Sequence, residues 1–294
     1  MTRDRSGDEG VTIVVPAYDE EAGIGQVLAD LESVLSGTAR PWEILVVNDG
    51  SNDDTARVAA AAGDGVRVVS HDVNMGYGAS IKTGIRRARY DLIAITDADS
   101  TYPAEAIPGL LDAMDSVDMA VAARVGDSVQ IPWVRRPAKW LLNRLAAYLS
   151  GRKIPDLNSG MRCFRKSTVE SEYLHLLPNG FSLTTTITLA YHAESRLVRY
   201  LPIDYKKRIG SSKIRPLRDT YNFFLLILRT VMYFDPMRIF VPPALLSFFV
   251  TLGTLAYDVG WERNVADKSL IWLMITVLLF GMALLGDLIV KRRR

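Results

Sequence analysis

The chain is poor in cysteine and histidine. One cysteine among 294 residues excludes an internal disulfide and fits a reducing compartment. Cys163, set between Arg162 and Phe164, reads as a filler of an apolar site rather than a nucleophile. The three histidines, His71, His175 and His192, show no metal-ligand spacing, which argues against zinc. An excess of one charge is also missing. With 35 basic and 33 acidic residues the formal charge is +2, so no field across the whole protein calls for nucleic acid as a partner. Residues 1–10 hold no apolar core and read as a loose tail, not as a signal peptide. A complete dinucleotide fingerprint is absent as well. Gly76-Tyr77-Gly78 has Ile81 where the third glycine belongs and follows the third predicted strand instead of the first, which argues against a nicotinamide or flavin cofactor.

What is present is centred on Leu92-Ile93-Ala94-Ile95-Thr96-Asp97-Ala98-Asp99, a branched apolar run ending in two carboxylates. A continuous apolar run suits a strand covered on both faces, and ligands of such sheets bind at the carboxyl ends of the strands. Asp97 and Asp99 fall there, and two hard oxygen donors suit Mg²⁺ or Mn²⁺ shared with nucleotide phosphates. The competing reading is a polar turn that caps the next helix.

Strands are predicted at Val11–Val15, Glu43–Val47, Val66–Ser70, Leu92–Ile95, Met119–Ala123 and Leu197–Ile203, with helical patterns between most of them. Short connections between alternating strands and helices predict an α/β domain with a mostly parallel sheet covered on both faces. Asp19 reads as the N-cap of the first helix, with Glu20 and Glu21 at its positive end. Asp156 to Lys166 reads as a loop entering a further strand, followed by a helix through Thr184 to Ala193. From Trp133 to Leu149, Arg135, Arg136, Lys139 and Arg144 interleave with Trp133, Trp140, Leu141, Leu145 and Tyr148. That stretch fits an amphipathic helix packed on the domain and equally one lying at a bilayer surface. Tyr205 to Lys213 carries four cations and two hydroxyls, either a solvated loop or a phosphate clamp.

The last quarter is of another character. Tyr221 to Phe234 is apolar but too short to span a bilayer, which suits an interfacial helix ended by Asp235-Pro236. Ile239–Tyr257 and Ser269–Gly286 carry no charge and have about the length a spanning helix needs. Pro242 and Pro243 are expected in the first turn of the first span. Arg215, Arg218 and Arg238 before the hairpin, and Lys291 to Arg294 after it, set both ends on the cytoplasmic side of a cell membrane. Asp287 is expected to pair with Lys291 one turn on. The expected divisions are a tail at 1–10, a catalytic domain at 11–214, an interfacial amphipathic helix at 215–236 and two transmembrane helices at 237–294, spanning about 239–259 and 269–290.

With these pieces in order, the sequence resembles the polyprenyl-phosphate glycosyltransferases, the group that contains dolichyl-phosphate mannosyltransferase, within family 2 of the inverting GT-A enzymes. The resemblance covers about Val11 to Lys213. It rests on Val-Pro-Ala-Tyr-Asp-Glu from Val15, Asn-Asp-Gly-Ser from Asn48, Asn-Met-Gly-Tyr-Gly-Ala from Asn74, Asp-Ala-Asp from Asp97, Asn-Ser-Gly-Met-Arg from Asn158 and Arg-Ile-Gly-Ser-Ser-Lys from Arg208. It implies a GT-A, Rossmann-like fold and metal-dependent transfer of a hexose, with inversion, from a UDP- or GDP-sugar to undecaprenyl or dolichyl phosphate at the bilayer. It further implies that Pro16, Tyr18, Glu20 and Asp49 line the base and ribose, that Asp97 and Asp99 hold Mg²⁺ or Mn²⁺, and that Arg124 meets the acceptor phosphate. By the same resemblance Arg208 and Lys213 face the phosphates, Arg162 joins the donor-binding set, and Asp156 stands where some relatives are thought to have a base. Here Asp156 is expected to orient the acceptor or a cation instead. Two positions depart from the pattern. Thr101 stands where relatives often have Gln, and Tyr77 where some have a basic residue. The alternatives are transfer to a glycerolipid and a non-catalytic nucleotide-sugar-binding membrane protein. A processive polysaccharide synthase would carry Gln-x-x-Arg-Trp and more spans, and neither is present. Oligomeric state is open, a homo-oligomer included.

Overall fold

The computed structural model describes residues 10–124, 144, 146–148, 151–204, 216–262 and 266–293. Among the described residues seven strands form one sheet: β1 (Val11–Ala17), β2 (Trp42–Asn48), β3 (Val66–Ser70), β4 (Leu92–Ile95), β5 (Met119–Ala123), β6 (Arg162–Arg165) and β7 (Val198–Pro202). Their spatial order is β3-β2-β1-β4-β6-β5-β7. Every pair is parallel except those of β6, which runs against both β4 and β5. β1, β4 and β5 are buried along their whole length, as strands covered on both faces must be.

Alternation along the strands decides which helix each side chain meets. Val11, Ile13 and Val15 of β1 face α1 (Glu21–Ser36) and α4 (Ala106–Ala113), packing with Ile24, Leu28, Leu31, Leu110 and Leu111. Val14 points the other way, with Ile93 and Ile95, onto Ile81 and Ile85 of α3 (Tyr77–Arg87) and Leu183 and Ile187 of α5 (Leu183–Ala193). Each fully buried Ile or Leu contributes about 2 kcal/mol. Helix α3 lies so close to β1 that a Cβ on Gly84 would come 2.3 Å from Val14 Cγ1. The short α2 (Thr55–Ala60) follows β2. Cys163 is buried in β6, as a filler would be.

The first helix is capped differently from expectation. Asp19 does not cap α1; its Oδ1 accepts the Asn52 N–H at 2.9 Å, and the Glu21 N–H at the start of α1 donates to Asp53 Oδ2 at 3.2 Å. Glu21 in turn accepts the Asp54 N–H at 3.0 Å. The loops after β1 and β2 lock one another, because each supplies the oxygen that the other's helix start lacks.

Helix α6 (Pro216–Phe234) buries Ile227 and Val231 in a cluster with Ala146, Ile154, Leu157 and Leu189, so the domain covers one of its faces. Phe224 and Met232 stay exposed. Of the Trp133–Leu149 stretch, Arg144 and residues 146–148 are described, with Ala146 buried and Tyr148 exposed. Helix α7 (Met237–Tyr257) and α8 (Asp267–Arg293) pack side by side and are long and apolar enough to cross a membrane. Leu246, Phe249, Leu285 and Leu288, each more than 60% exposed, turn outward, whereas a core helix of a soluble protein would bury them. Between the helices Ser247 and Thr276 share a hydrogen bond of 2.5 Å, with Thr251 beside them, the small polar contact typical of helices packed in lipid. Because α7 starts at Met237, Pro242 and Pro243 lie one turn deeper than expected. Lys291 Nζ meets Asp287 Oδ2 at 2.7 Å, as the spacing predicts.

Candidate active site

The antiparallel β6 sets the site. Its first residue, Arg162, pairs with Ile95 at the end of β4 and with Val121 of β5. The loop that precedes β6 therefore arrives at the edge where β1, β2, β4 and β5 end, and meets Asp97. Gly160 is the point of closest approach: a Cβ there would lie 2.7 Å from Asp97 Oδ2, so any other residue would displace the carboxylate. Tyr102, buried and with its phenol held protonated by that burial, fixes Gly160 by accepting its N–H at 2.7 Å. Tyr77 donates its hydroxyl to Asp97 Oδ1 at 2.9 Å.

Neither carboxylate caps the next helix, since α4 begins at Ala106 with Glu105 at its N-cap. Asp97 is half-buried. Asp99 is buried, and its Oδ1 accepts the Thr101 N–H at 3.2 Å and the Thr101 hydroxyl at 2.5 Å. Ser100 between them has φ of 56°, a left-handed conformation that a non-glycine residue holds only when its surroundings impose it. Thr101 thus braces Asp99.

No group of three or more His, Cys, Asp or Glu is arranged as a metal cage among the described residues. The donors still fit Mg²⁺ or Mn²⁺, which take one or two carboxylates and leave other positions to phosphates and water. Asp97, given room by Gly160, and Asp99 are hard donors of that kind.

Beside this pair, Arg124 at the end of β5 faces Asp156. Arg124 Nε lies 2.6 Å from Asp156 Oδ2 and Nη2 2.9 Å from Oδ1, and the Arg124 N–H adds a third bond of 3.1 Å. Asp156 is buried, while Arg124 keeps part of its side chain exposed.

Asp49, at the end of β2, is turned to the neighbouring loop. Its Oδ1 is 2.7 Å from His71 Nδ1 and accepts the Met75 N–H at 2.9 Å, and its Oδ2 accepts the Gly76 N–H at 2.8 Å. Burial pushes this carboxyl up, but the bonds from His71, Met75 and Gly76 outweigh it and hold the group below its ordinary value. Pro16 is buried at the end of β1, and Tyr18 and Glu20 are half-buried in the loop that follows.

Arg162 corrects the sequence expectation. It is fully buried, with Nη1 donating to Thr184 O and to Thr188 Oγ1, both at 3.0 Å, and Nη2 donating to Ser159 O. A guanidinium spent on tying β6 to α5 has no surface to offer a nucleotide. Arg208 and Lys213 lie outside the described residues; the chain enters that stretch from β7, at the edge where Asp97 stands.

Gly76 and Gly78 owe their place to packing. Cβ atoms there would stand 2.6 Å from Asn179 O and 2.3 Å from Pro178 O, so the start of α3 is seated on the 178–180 backbone. Sequence reading missed Tyr77 and Tyr102 as site residues. The available signals were a tyrosine between two glycines ahead of a helix and another three residues beyond Asp99.

A model of the family described as Glycosyl transferase family 2 matches residues 12–171. The chain is 30% identical over 300 residues to undecaprenyl-phosphate 4-deoxy-4-formamido-L-arabinose transferase of Pseudomonas paraeruginosa, covering 94% of this chain and 84% of the relative. It is 30% identical over 214 residues to dolichyl-phosphate hexose transferase of Haloferax volcanii, covering 71% and 88%. Among solved structures it is similar to glucosyl-3-phosphoglycerate synthase of Mycobacterium tuberculosis in complex with Mn²⁺, UDP and phosphoglyceric acid, with a TM-score of 0.60, 18% identity and coverage of 76% and 78%. That likeness shows the fold, which is GT-A. By the match over more than half its length, and by relatives that align over most of theirs, the chain belongs to glycosyl transferase family 2.

Proposed function

We propose that this glycosyltransferase moves a sugar from a UDP- or GDP-hexose to a polyprenyl phosphate at the cytoplasmic face of a membrane, inverting the anomeric carbon. The observation that carries the proposal is the gathering of Asp97, Gly160 and the Arg124–Asp156 pair at one sheet edge, in a chain whose last two helices turn apolar side chains outward. The names of the relatives, transferases acting on undecaprenyl and dolichyl phosphate, support the acceptor class.

The reaction needs little proton transfer. A phosphate monoester is mostly dianionic at neutral pH, so the acceptor oxygen attacks the anomeric carbon directly, and the sugar leaves its diphosphate from the opposite face. The barrier lies in the charge that grows on the departing diphosphate and in alignment. Asp97 and Asp99 would hold a Mg²⁺ or Mn²⁺ that offsets that charge. Pro16, Tyr18 and Glu20 would line the base and ribose, with Asp49 fixing the loop beside them. Arg124 would receive the acceptor phosphate, since its side chain is partly exposed and its direction is set by Asp156. Asp156, loaded by that guanidinium, acts as an orienter in this scheme and not as a base. Arg208 and Lys213 would serve as further cations on the phosphates.

The domain divisions stand as part of the proposal: a catalytic unit over 11–214, an interfacial helix over 215–236 and a membrane hairpin over 237–294. Arg238 and Lys291, at opposite ends of that hairpin, favour a cytoplasmic setting for both.

The test is a panel of UDP- and GDP-sugars with Mg²⁺ or Mn²⁺ and three acceptors: undecaprenyl phosphate, dolichyl phosphate and diacylglycerol. Labelled polyprenyl-phosphate sugar, lost with Asp97→Asn, is the expected result. Label on diacylglycerol alone, or none with any acceptor, overturns it.

A further inference from the structure

We infer that Tyr77 is a positioning residue for the Asp97 carboxylate and that Phe181, stacked on it, makes the 178–181 loop part of the same device. The inference rests on the reading of Asp97 as a metal ligand.

Tyr77 stands in the first turn of α3, and its backbone is fixed on two sides. Gly76, with φ of +100°, and Gly78 allow the 178–180 backbone to approach to distances that no side chain would tolerate. The Ala79 N–H donates to Asn179 O at 3.1 Å, and Lys82 Nζ to Leu177 O at 3.1 Å. From this seat the Tyr77 ring stacks on Phe181, with centroids 5.4 Å apart and planes 22° from parallel. The hydroxyl reaches Asp97 Oδ1.

The carboxylate is bracketed as a result. Tyr77 holds Oδ1, and Oδ2 lies against Gly160, where a Cβ would come within 2.7 Å of it. A carboxylate oxygen has two lone-pair directions, so the hydroxyl fixes the side-chain rotation and leaves Asp97 able to ligate. Outer partners of this kind orient a ligand before the ion arrives, and their loss typically weakens metal binding by about 10- to 100-fold. Phe181 is 63% exposed, a surface position for a ring whose stacking partner is Tyr77. The two rings give the 178–181 loop a direct path to the carboxylate.

The test uses the full chain in detergent or nanodiscs. Mn²⁺ is titrated by the loss of its free-ion EPR signal, with UDP and, separately, with GDP. Tyr77→Phe keeps the ring and the stack but removes the hydroxyl, and it is expected to raise the Mn²⁺ dissociation constant by about tenfold with an unchanged melting temperature. Its kcat at saturating Mn²⁺ is expected to recover, which a merely structural lesion would not allow. Phe181→Ala, which leaves the hydroxyl in place, is expected to shift the constant in the same direction by less. Asp97→Asn is expected to abolish saturable binding. If Asp97→Asn abolishes binding while Tyr77→Phe titrates as the parent does, the inference fails and the metal reading stands. If Asp97→Asn titrates as the parent does, the metal reading falls and takes the inference with it.

Discussion

Arg124 and Asp156, 32 residues apart in the chain, meet in a two-pronged ion pair with Nε 2.6 Å from one carboxylate oxygen and Nη2 2.9 Å from the other. Arg suits this fork and Lys does not. Asp156→Asn is expected to lower kcat/KM by about tenfold, as misplacement of a positioned group does, without removing the acid limb of the pH–rate profile. A required base would remove that limb. Arg124→Ala takes the guanidinium from a buried carboxylate, leaving it the backbone N–H groups of residue 124 and Asn158, and is expected to destabilise by about 3 kcal/mol, and the double variant by less than the sum. Steady-state kinetics and denaturant unfolding of the three variants check both points.

Gly160→Ala tests the close approach to Asp97. A methyl group 2.7 Å from Oδ2 must push the carboxylate aside, because the nearest atoms all belong to the Asp97 side chain while the Gly160 N–H is held by Tyr102. The expected outcome is a loss of turnover of about 100-fold with the melting temperature of the domain nearly kept. Unchanged turnover would show that Asp97 is free to move.

His192 makes stability depend on pH. The ring is buried, stacks on Tyr200 and holds Tyr200 Oη 2.9 Å from Nε2. Burial, and then the charge of Arg152, push it down to about 4 from an ordinary value of 6.5. Between those two values the unfolded chain binds a proton that the folded chain refuses. Stability therefore falls as the pH drops from 6.5 towards 4 and levels off below, by at most about 3 kcal/mol. His192→Gln is expected to flatten that part of the curve, read as melting temperature between pH 7 and 4.5 against the parent.

The outward apolar face of the hairpin predicts its behaviour in lipid. The protein is expected to stay with the membrane pellet through an alkaline carbonate wash. Lys in place of Leu246, 68% exposed near the middle of α7, is expected to disfavour insertion by about 3 kcal/mol. Release of the parent chain by carbonate would argue against spanning helices.

The sheet and its site were legible in the sequence to different degrees. The uninterrupted apolar runs of β1, β4 and β5 announce strands covered on both faces, and the carboxylates at the end of β4 mark the edge where the proposed site lies. The direction of β6 was not readable, since Arg162–Arg165 carries no pattern that tells parallel from antiparallel. Arg162 was misjudged for a related reason. An arginine in a polar motif suggests an exposed donor, and here the carbonyls of Ser159 and Thr184 and the hydroxyl of Thr188 take up its two Nη groups inside the protein. Asp19 was assigned to its own helix because caps are sought locally, whereas its partner is Asn52 on the next loop. Tyr77 and Tyr102 act through contacts with residues 20 and 58 positions away, which spacing alone does not reveal.

The reversal of one strand also ties two distant parts of the chain together. Because β6 returns against β5, the chain departs at Arg124 and comes back at Asp156 to the same rim, and the ion pair fastens the two departures together like a buckle. Whatever is strung between them can be lengthened, shortened or exchanged while the buckle and the ends of the strands keep their places. A change in the length of that interval is therefore expected to leave Arg124 and Asp156 joined at the rim.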